Sequence, residues 1–392
     1  MKVTTLGIDL AKNIFRVHGC DARGKAVVSK SLTRRQLTLF MAQLEPCVVG
    51  MEACPTSNYW AREIQKFGHE VRLMAPRFVK AYVKANKNDT ADAEAICEAV
   101  RRPTMRFVAV KSTAQQDVQA VHRVRAQLVK TRIALANQLR GLLAEYGIVI
   151  AKGFAPLRCA LPAILENRDD RLSGIMCELV AEMSERLKLM EERLRQYDLR
   201  IRRLMRQDER CLRLAEVPGI GELTATALVA TVGNAREFKS GRELAAYLGL
   251  VPKHRASGGK TVMLGISKRG DTYLRTLLVH GARAALRINS RWHGAHGVWA
   301  EGLKARRGPN IAAVALANKN ARVAWKLLSS GERYRPLPPR PNQNQDIGAR
   351  APRAPLGQQT GRRGAVRVVA DAKPAACPPP SRSVRGQAGK PL

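Results

Sequence analysis

Four acidic residues, Asp9, Glu52, Asp89 and Asp92, stand in a chain that carries 68 Lys+Arg against 32 Asp+Glu and a formal net charge of +36. Carboxylates gathered inside so basic a protein need a counter-charge, and a divalent metal is the simplest one. Asp9 lies mid-run in Leu6-Gly-Ile-Asp-Leu10, on an apolar stretch of strand type. Glu52 follows Val48-Val-Gly-Met51, at the C-terminal end of a second buried-type run. Acids on two neighbouring strands bring two carboxylates to one sheet edge. Asp89 and Asp92, in Lys87-Asn-Asp-Thr-Ala-Asp-Ala93, are three apart at a helix start, a spacing that puts both on one helical face. For that pair a second reading stays open: an N-cap and a first-turn acid, favoured at any helix start. Close carboxylates bind one or two Mg²⁺ ions through oxygen, and two such ions about 3.5–4 Å apart activate and position a phosphodiester. The chemistry indicated is metal-assisted cleavage of nucleic acid.

The other candidate group is Ser257, in Lys253-His-Arg-Ala-Ser-Gly-Gly-Lys260. Two roles are open to a hydroxyl in this Gly-flanked basic loop. It can bind a phosphate, or it can attack one, with the neighbouring cations stabilising the alkoxide and the transition state. Lys253, Arg255 and Lys260, with Lys268, Arg269 and Arg275 downstream, form a basic surface for a DNA backbone. Val217-Pro-Gly-Ile-Gly221 has a helix-hairpin-helix-like pattern. Gly219 and Gly221 would let a phosphate approach the amides of the following helix, or would simply make a tight turn. Six of the seven histidines (His18, His69, His254, His280, His293, His296) show no metal-ligand pairing with cysteine, and no P-loop or dinucleotide fingerprint is present.

These residues need elements to hold them. Residues 3–10, 14–19 and 25–32 read as three meandering strands, followed by helix (36–44), strand (47–52), helix (58–67), strand (70–74) and helix (91–100). That is the order of an α/β RNase H-like domain, assigned to residues 1–112. Residues 113–210 read as two long amphipathic helices, 118–146 and 172–214, separated by the Gly/Pro-containing segment 153–162. They would form a helical hairpin or coiled-coil arm that serves as a spacer or in dimerisation. Residues 211–333 read as a mostly α-helical domain with a small-residue helix at 222–232. Residues 334–392 hold more than half of the 20 prolines, scattered Arg and few apolar side chains. This basic tail is expected to be disordered, because it cannot bury enough surface to offset its ordering entropy.

Length and composition set the limits. A chain of 392 residues with 45% hydrophobic content accommodates two or three domains. The charge excess calls for a polyanionic partner. No apolar run reaches the roughly 18 residues of a membrane span, and no apolar leader precedes the first strand. The expected location is cytoplasmic and nucleoid-associated. The eight cysteines are scattered singly with no Cys-x-x-Cys, as small buried hydrophobes are in a reducing compartment.

The motifs above, in order, resemble the insertion-sequence 110 family of DEDD transposases and recombinases, which includes the Piv-type DNA invertases. The likeness is carried by Leu6-Gly-Ile-Asp-Leu-Ala-Lys12, Gly50-Met-Glu-Ala53, Gly68-His-Glu-Val-Arg-Leu73 with Pro76, and Lys87-Asn-Asp-Thr-Ala-Asp-Ala93. Further on it is carried by Val217-Pro-Gly-Ile-Gly221, Leu244-Ala-Ala-Tyr-Leu-Gly-Leu-Val-Pro252, Ser257-Gly258, Gly265-Ile-Ser-Lys-Arg-Gly270 and Ala315-Leu-Ala-Asn-Lys319 with Trp325. It spans roughly residues 1–335. The resemblance implies that Asp9, Glu52, Asp89 and Asp92 are the Mg²⁺-binding tetrad. It implies that Ser257, in a C-terminal transposase domain, is the nucleophile and forms a phosphoserine link to DNA. It further implies a homo-oligomer, dimer or tetramer, whose active sites combine acids of one subunit with a serine of another. The partners would be the double-stranded DNA of element ends and target, and a structured guide RNA. Two rivals remain at this level: a metal-dependent nuclease of the Holliday-junction-resolvase type that activates water, and a non-catalytic nucleic-acid-binding protein.

Overall fold

Alternating burial builds the first sheet. In the computed structural model, β1 (Thr5–Asp9), β2 (Ile14–Cys20) and β3 (Ala26–Thr33) form an antiparallel meander. Phe15 and Val17 are buried on β2 while Ile14 and Arg16 face outward or to the edge, the period of two that a pleated strand requires. The structure describes residues 2–83, 89–166, 171–258, 260–288 and 295–336. The side chains of Asp89, Lys260 and Thr261 lie outside the described residues, as do His293, Cys377 and residues 337–392 of the expected tail.

After the meander come α1 (Arg34–Gln43), β4 (Val48–Glu52), α2 (Ser57–Gln65), β5 (Glu70–Met74), the short α3 (Pro76–Val79), α4 (Asp89–Val100) and β6 (Phe107–Val108). Thr33 starts α1 with a capping box closed by Gln36, which satisfies two of the donors a helix N-terminus leaves unpaired. The sheet order is β3-β2-β1-β4-β5-β6, with β1, β4 and β5 parallel and the rest antiparallel. This mixed sheet is consistent with the RNase H-like start expected. Its core gathers Leu6, Ile8, Phe15, Val17, Val49, Met51 and Trp60.

A mostly helical region follows. The helices α5 (Thr113–Glu145) and α7 (Gly174–Arg206) dominate it, and the buried apolar positions of α7 are Met176, Val180, Met183, Leu187, Leu194 and Ile201, at steps of three, four and seven residues. The Arg125–Asp198 and Arg132–Glu191 ion pairs set the two helices antiparallel. The segment 153–162 is not a simple break. It lies within α6 (Phe154–Glu166), whose Leu157, Leu161 and Ile164 bury against α5 and α7. Pro162 is tolerated because it sits on the exposed side of this short helix while its neighbours hold the packing. The continuous helix expected over 172–214 is also divided. Asp208 accepts the Arg210 N–H at 2.9 Å and caps a separate α8 (Glu209–Ala215).

Helices α8, α9 (Glu222–Val232), α10 (Gly241–Tyr247), α11 (Thr272–Arg287), α12 (Ala295–Arg307) and α13 (Pro309–Ser330) enclose a second core that includes Leu214, Leu228, Leu244, Leu278 and Leu316. Tyr334, at the first residue of the expected tail, still packs on this core, and its N–H bonds Glu216 at 3.0 Å. Between α10 and α11 this helical region carries two strands, β7 (Pro252–Ser257) and β8 (Lys260–Ile266), paired antiparallel. The expected Gly-flanked loop around Ser257 is therefore the tip of a β-hairpin. Val262, Met263 and the β-branched Thr261 favour strand, and Gly258 (φ +55°) supplies the positive φ of a two-residue turn. Among the described residues, no helix is long and apolar enough to cross a membrane.

Candidate active site and nucleic-acid-facing surface

Register decides where the first two acids go. Parallel pairing aligns Gly7 with Gly50 and Ile8 with Met51, so Asp9 and Glu52 follow side by side at the C-terminal ends of β1 and β4. Both are half-buried. The ends of parallel strands are where α/β sheets present functional groups.

The third acid arrives on a helix. α4 packs on β1, with the Cys97 thiol directed to the Thr5 carbonyl at 3.7 Å and Ala93 over Gly7. The helix therefore runs antiparallel to β1, and its N-terminal turn, which carries Asp92, overlies the end of β1 that carries Asp9. The approach is possible only because residues 7 and 50 lack side chains. A Cβ on Gly7 would stand 2.4 Å from the Ala93 carbonyl oxygen, and one on Gly50 would stand 2.8 Å from the Val100 Cβ.

Cys54, just beyond β4, reports the electrostatics. Its thiol is pushed up by burial and then by the negative charges of Glu52 and Asp9, so both carboxylates bear on one spot. The acids brought to this edge offer carboxylate oxygen, a donor type that suits a hard cation such as Mg²⁺. Among the described residues, no group of three or more His, Cys, Asp or Glu side chains is placed to hold a metal ion, so Asp9, Glu52 and Asp92 are not drawn together into one. Asp89 enters α4 as its first residue, and its side chain is outside the described residues.

Ser257 has a different setting. All six residues of β7 are exposed. Arg255 and Ser257, two apart, share one face of the ribbon with Val262, the cross-strand partner of Arg255. Lys253 lies at an irregularity in the register between Pro252 and His254. On β8, Val262 and Met263 are 57% and 66% exposed, a large apolar surface for a two-stranded ribbon.

The remaining basic candidates divide by what already holds them. Lys268 and Arg269 are exposed in the loop that precedes α11, and Lys268 has φ +54°. That loop is pinned by Ser267 N–H to the Val251 carbonyl at 2.8 Å and by Lys268 N–H to the Gly249 carbonyl at 3.1 Å. The guanidinium of Arg275 instead bonds the Leu248 carbonyl (3.2 Å) and the Thr272 hydroxyl (3.1 Å), tying α10 to α11. Gly219 (φ +89°) faces inward: a Cβ there would meet the Gly281 carbonyl at 3.0 Å, and Asn320 donates to the Pro218 carbonyl at 2.9 Å. Its glycine is accounted for by packing on α11 and α13. Gly221 is the exposed N-cap of α9, where Glu222 already pairs with Arg202.

Sequence spacing gave no reason to single out His122, which is buried where α5 meets α9 and α11. Thr226 donates its hydroxyl proton to the Glu222 carbonyl (2.7 Å), so it accepts from His122 Nε2 at 3.0 Å, and His122 Nδ1 accepts from the Tyr273 hydroxyl at 3.0 Å. Burial, then the Arg125 charge, pushes this ring down to about 4, so it is neutral.

Comparison with known proteins adds to this geometry. A DEDD transposase profile of the IS110 type matches residues 6–148, from β1 to just past α5. The profile described as "Transposase IS116/IS110/IS902 family" matches residues 211–296, which include the hairpin. A probable family 20 transposase of Pseudomonas aeruginosa is 48% identical over 337 residues, 86% of this chain and 100% of its own length. The transposase for insertion sequence element IS1111A of Coxiella burnetii is 43% identical over 85% of this chain and 92% of its own length. The transposase for insertion sequence element IS1328 of Yersinia enterocolitica is 40% identical over 84% of this chain and 98% of its own length. With these matches running through both the sheet domain and the helical domain, the chain belongs to the IS110 family of insertion-sequence transposases and is a DNA transposase.

Proposed function

We propose that this transposase cuts and rejoins DNA through two groups that the fold keeps on separate elements: an Asp9–Glu52–Asp89–Asp92 tetrad that binds Mg²⁺, and Ser257 as nucleophile. The observation that carries the first half is the side-by-side placement of Asp9 and Glu52 with the N-terminal turn of α4 laid over them. A divalent ion bound there would draw charge from the scissile phosphate and orient it. The chain's own residues do the rest. The carboxylates fix the site's position on a buried sheet. Arg255, exposed on the same ribbon face as Ser257, offers a cation to a phosphate oxygen.

Ser257 Oγ forms a bond to phosphorus while the phosphorus–oxygen bond to the leaving sugar breaks. The serine gives up its proton and the leaving oxygen takes one up. Reversal with a different sugar hydroxyl rejoins the strand, and the phosphoserine link conserves the bond energy between the two steps. The exposed apolar residues of β8 support a homo-oligomer in which the ribbon of one subunit is covered by another, completing a site from acids and serine of different chains. A net charge of +36 leaves ample cation for both double-stranded DNA and a structured guide RNA. The guide RNA is proposed from the family resemblance, as is kinship with the Piv-type invertases. The long α5–α7 pair would serve as a coiled-coil spacer or dimerisation arm.

Trapping tests this reading. The protein is incubated with Mg²⁺ and a DNA carrying the element end, denatured, and resolved for a covalent protein–DNA adduct. The expected result is an adduct in the wild type and none in Ser257→Ala. Cleavage that persists in Ser257→Ala without an adduct would overturn the serine assignment and make activated water the nucleophile.

A further inference from the structure

A cavity of about 340 Å³ opens between α5, α9 and the start of α11, and it contains none of the tetrad or hairpin residues. Its chemistry is sorted by depth. At the wall the Tyr273 ring packs edge-on to His122, with centroids 5.7 Å apart, and the His122 hydrogen bonds above leave that ring neutral and fixed. Beside them lie acceptors. Gln119 donates its amide to the Ala230 carbonyl and the Thr231 hydroxyl, so its Oε1 accepts nothing among the described residues. Asp271 spends one oxygen on the Leu274 N–H at 3.0 Å. At the rim stand Arg123 and Lys130, both exposed and seven residues apart on one face of α5, making no hydrogen bond or ion pair among the described residues.

This arrangement does not suit a bare anion, because a carboxylate shares the cavity. It does not suit a duplex either, whose convex backbone cannot enter a space at the small end of ligand-pocket volumes, roughly 300–1,000 Å³. It does suit a molecule with an aromatic, proton-donating body and an anionic attachment. Bases stack on aromatic side chains while cations track the backbone in single-strand-binding proteins. We propose that this cavity receives one unstacked nucleotide of a single-stranded nucleic acid. An amino-bearing base would lie against Tyr273, donating to Gln119 and Asp271, with its phosphate on Arg123 and Lys130. The site is independent of which group attacks DNA, so it stands or falls apart from the tetrad and Ser257.

The test is fluorescence anisotropy of the full chain with labelled dC12, dT12, rC12 and a 12-bp duplex. Cytosine carries an exocyclic amine and thymine does not, so dC12 is expected to bind about fivefold tighter than dT12, the worth of roughly one hydrogen bond. Ala126→Phe fills the cavity from α5 without altering charge. It is expected to weaken dC12 about tenfold, to erase the cytosine preference, and to leave duplex affinity unchanged, with a melting curve to verify folding. Should that variant not fold, exposed Arg123→Glu decides. Its loss of dC12 affinity must exceed that of Arg35→Glu, a charge-matched change on exposed α1. Equal losses in those two variants, or a folded Ala126→Phe that binds dC12 like the wild type, would overturn the site. Tighter binding of rC12 than dC12 assigns the seat to an RNA strand, and the reverse assigns it to extruded DNA; either supports the site.

Discussion

The sheet edge that holds the acids and the ribbon that holds Ser257 are built in opposite ways. Asp9 and Glu52 project from strands whose inner residues Leu6, Ile8, Val49 and Met51 are fully buried, beneath a helix seated directly on two glycines. Ser257 ends a strand with no buried residue, on a ribbon whose apolar side chains face outward. Groups that hold a metal need their geometry set before substrate arrives, and dense packing supplies that. A hydroxyl in the role proposed for Ser257 gains from standing clear of its own core. Two-stranded ribbons are marginal alone, and the covering subunit proposed above would hold this one.

The largest expected effect falls on the rigid side. Asp9→Asn keeps the shape of the sheet edge and removes one charge. Strand cleavage is expected to fall by about 10³-fold or more, with DNA affinity and melting temperature little changed; full cleavage would show that the metal site has been misplaced. Next is Gly7→Ala. Its Cβ would collide with the α4 backbone, so urea unfolding is expected to show a loss of about 3 kcal/mol, with activity falling as α4 is displaced. A neutral result would mean that the helix is not tightly seated and that the contrast between the two regions is weaker than drawn.

A smaller effect concerns His122, at the junction of the long helix with the C-terminal core. The folded ring stays neutral where an unfolded histidine already takes up a proton, so stability falls as pH drops from about 6.5 toward 4 and the fall ends below that. Replacing it in His122→Gln is expected to shrink the drop between pH 7 and 4.5 by on the order of 2 kcal/mol in pH-dependent melting. An unchanged slope would remove histidine titration from that junction. The smallest stability effect belongs to the ribbon. Met263→Ser is expected to alter monomer stability by less than about 0.5 kcal/mol while reducing strand joining. A large drop in melting temperature would show that the ribbon is packed in the monomer after all, and the comparison would fail.

Much of this was legible in order along the chain. The three-strand meander, β4 and β5 ending at Glu52 and Met74, and α9 over residues 222–232 follow from alternation, short apolar runs and small-residue periodicity. The β-hairpin around Ser257 was less legible. Six exposed residues carry no burial pattern to read, and the flanking helices coloured the whole segment as helical. Pro162 inside α6 was misleading for the opposite reason, since burial of its neighbours overrode a local breaker.

What the sequence determined by itself is what depends on near neighbours. Strand and helix periods, the polar residue at the start of α1, and the presence of four acids in a basic chain are all of this kind. Only the tertiary structure decided what those residues meet. The parallel register put Asp9 beside Glu52, and the close seat of α4 gave Gly7 its purpose. Packing turned Gly219 and Arg275 inward, to hold helices together. His122 found Tyr273 across 151 positions of chain. Contacts of that range are set by how whole faces pack together, and no local window of residues contains that information.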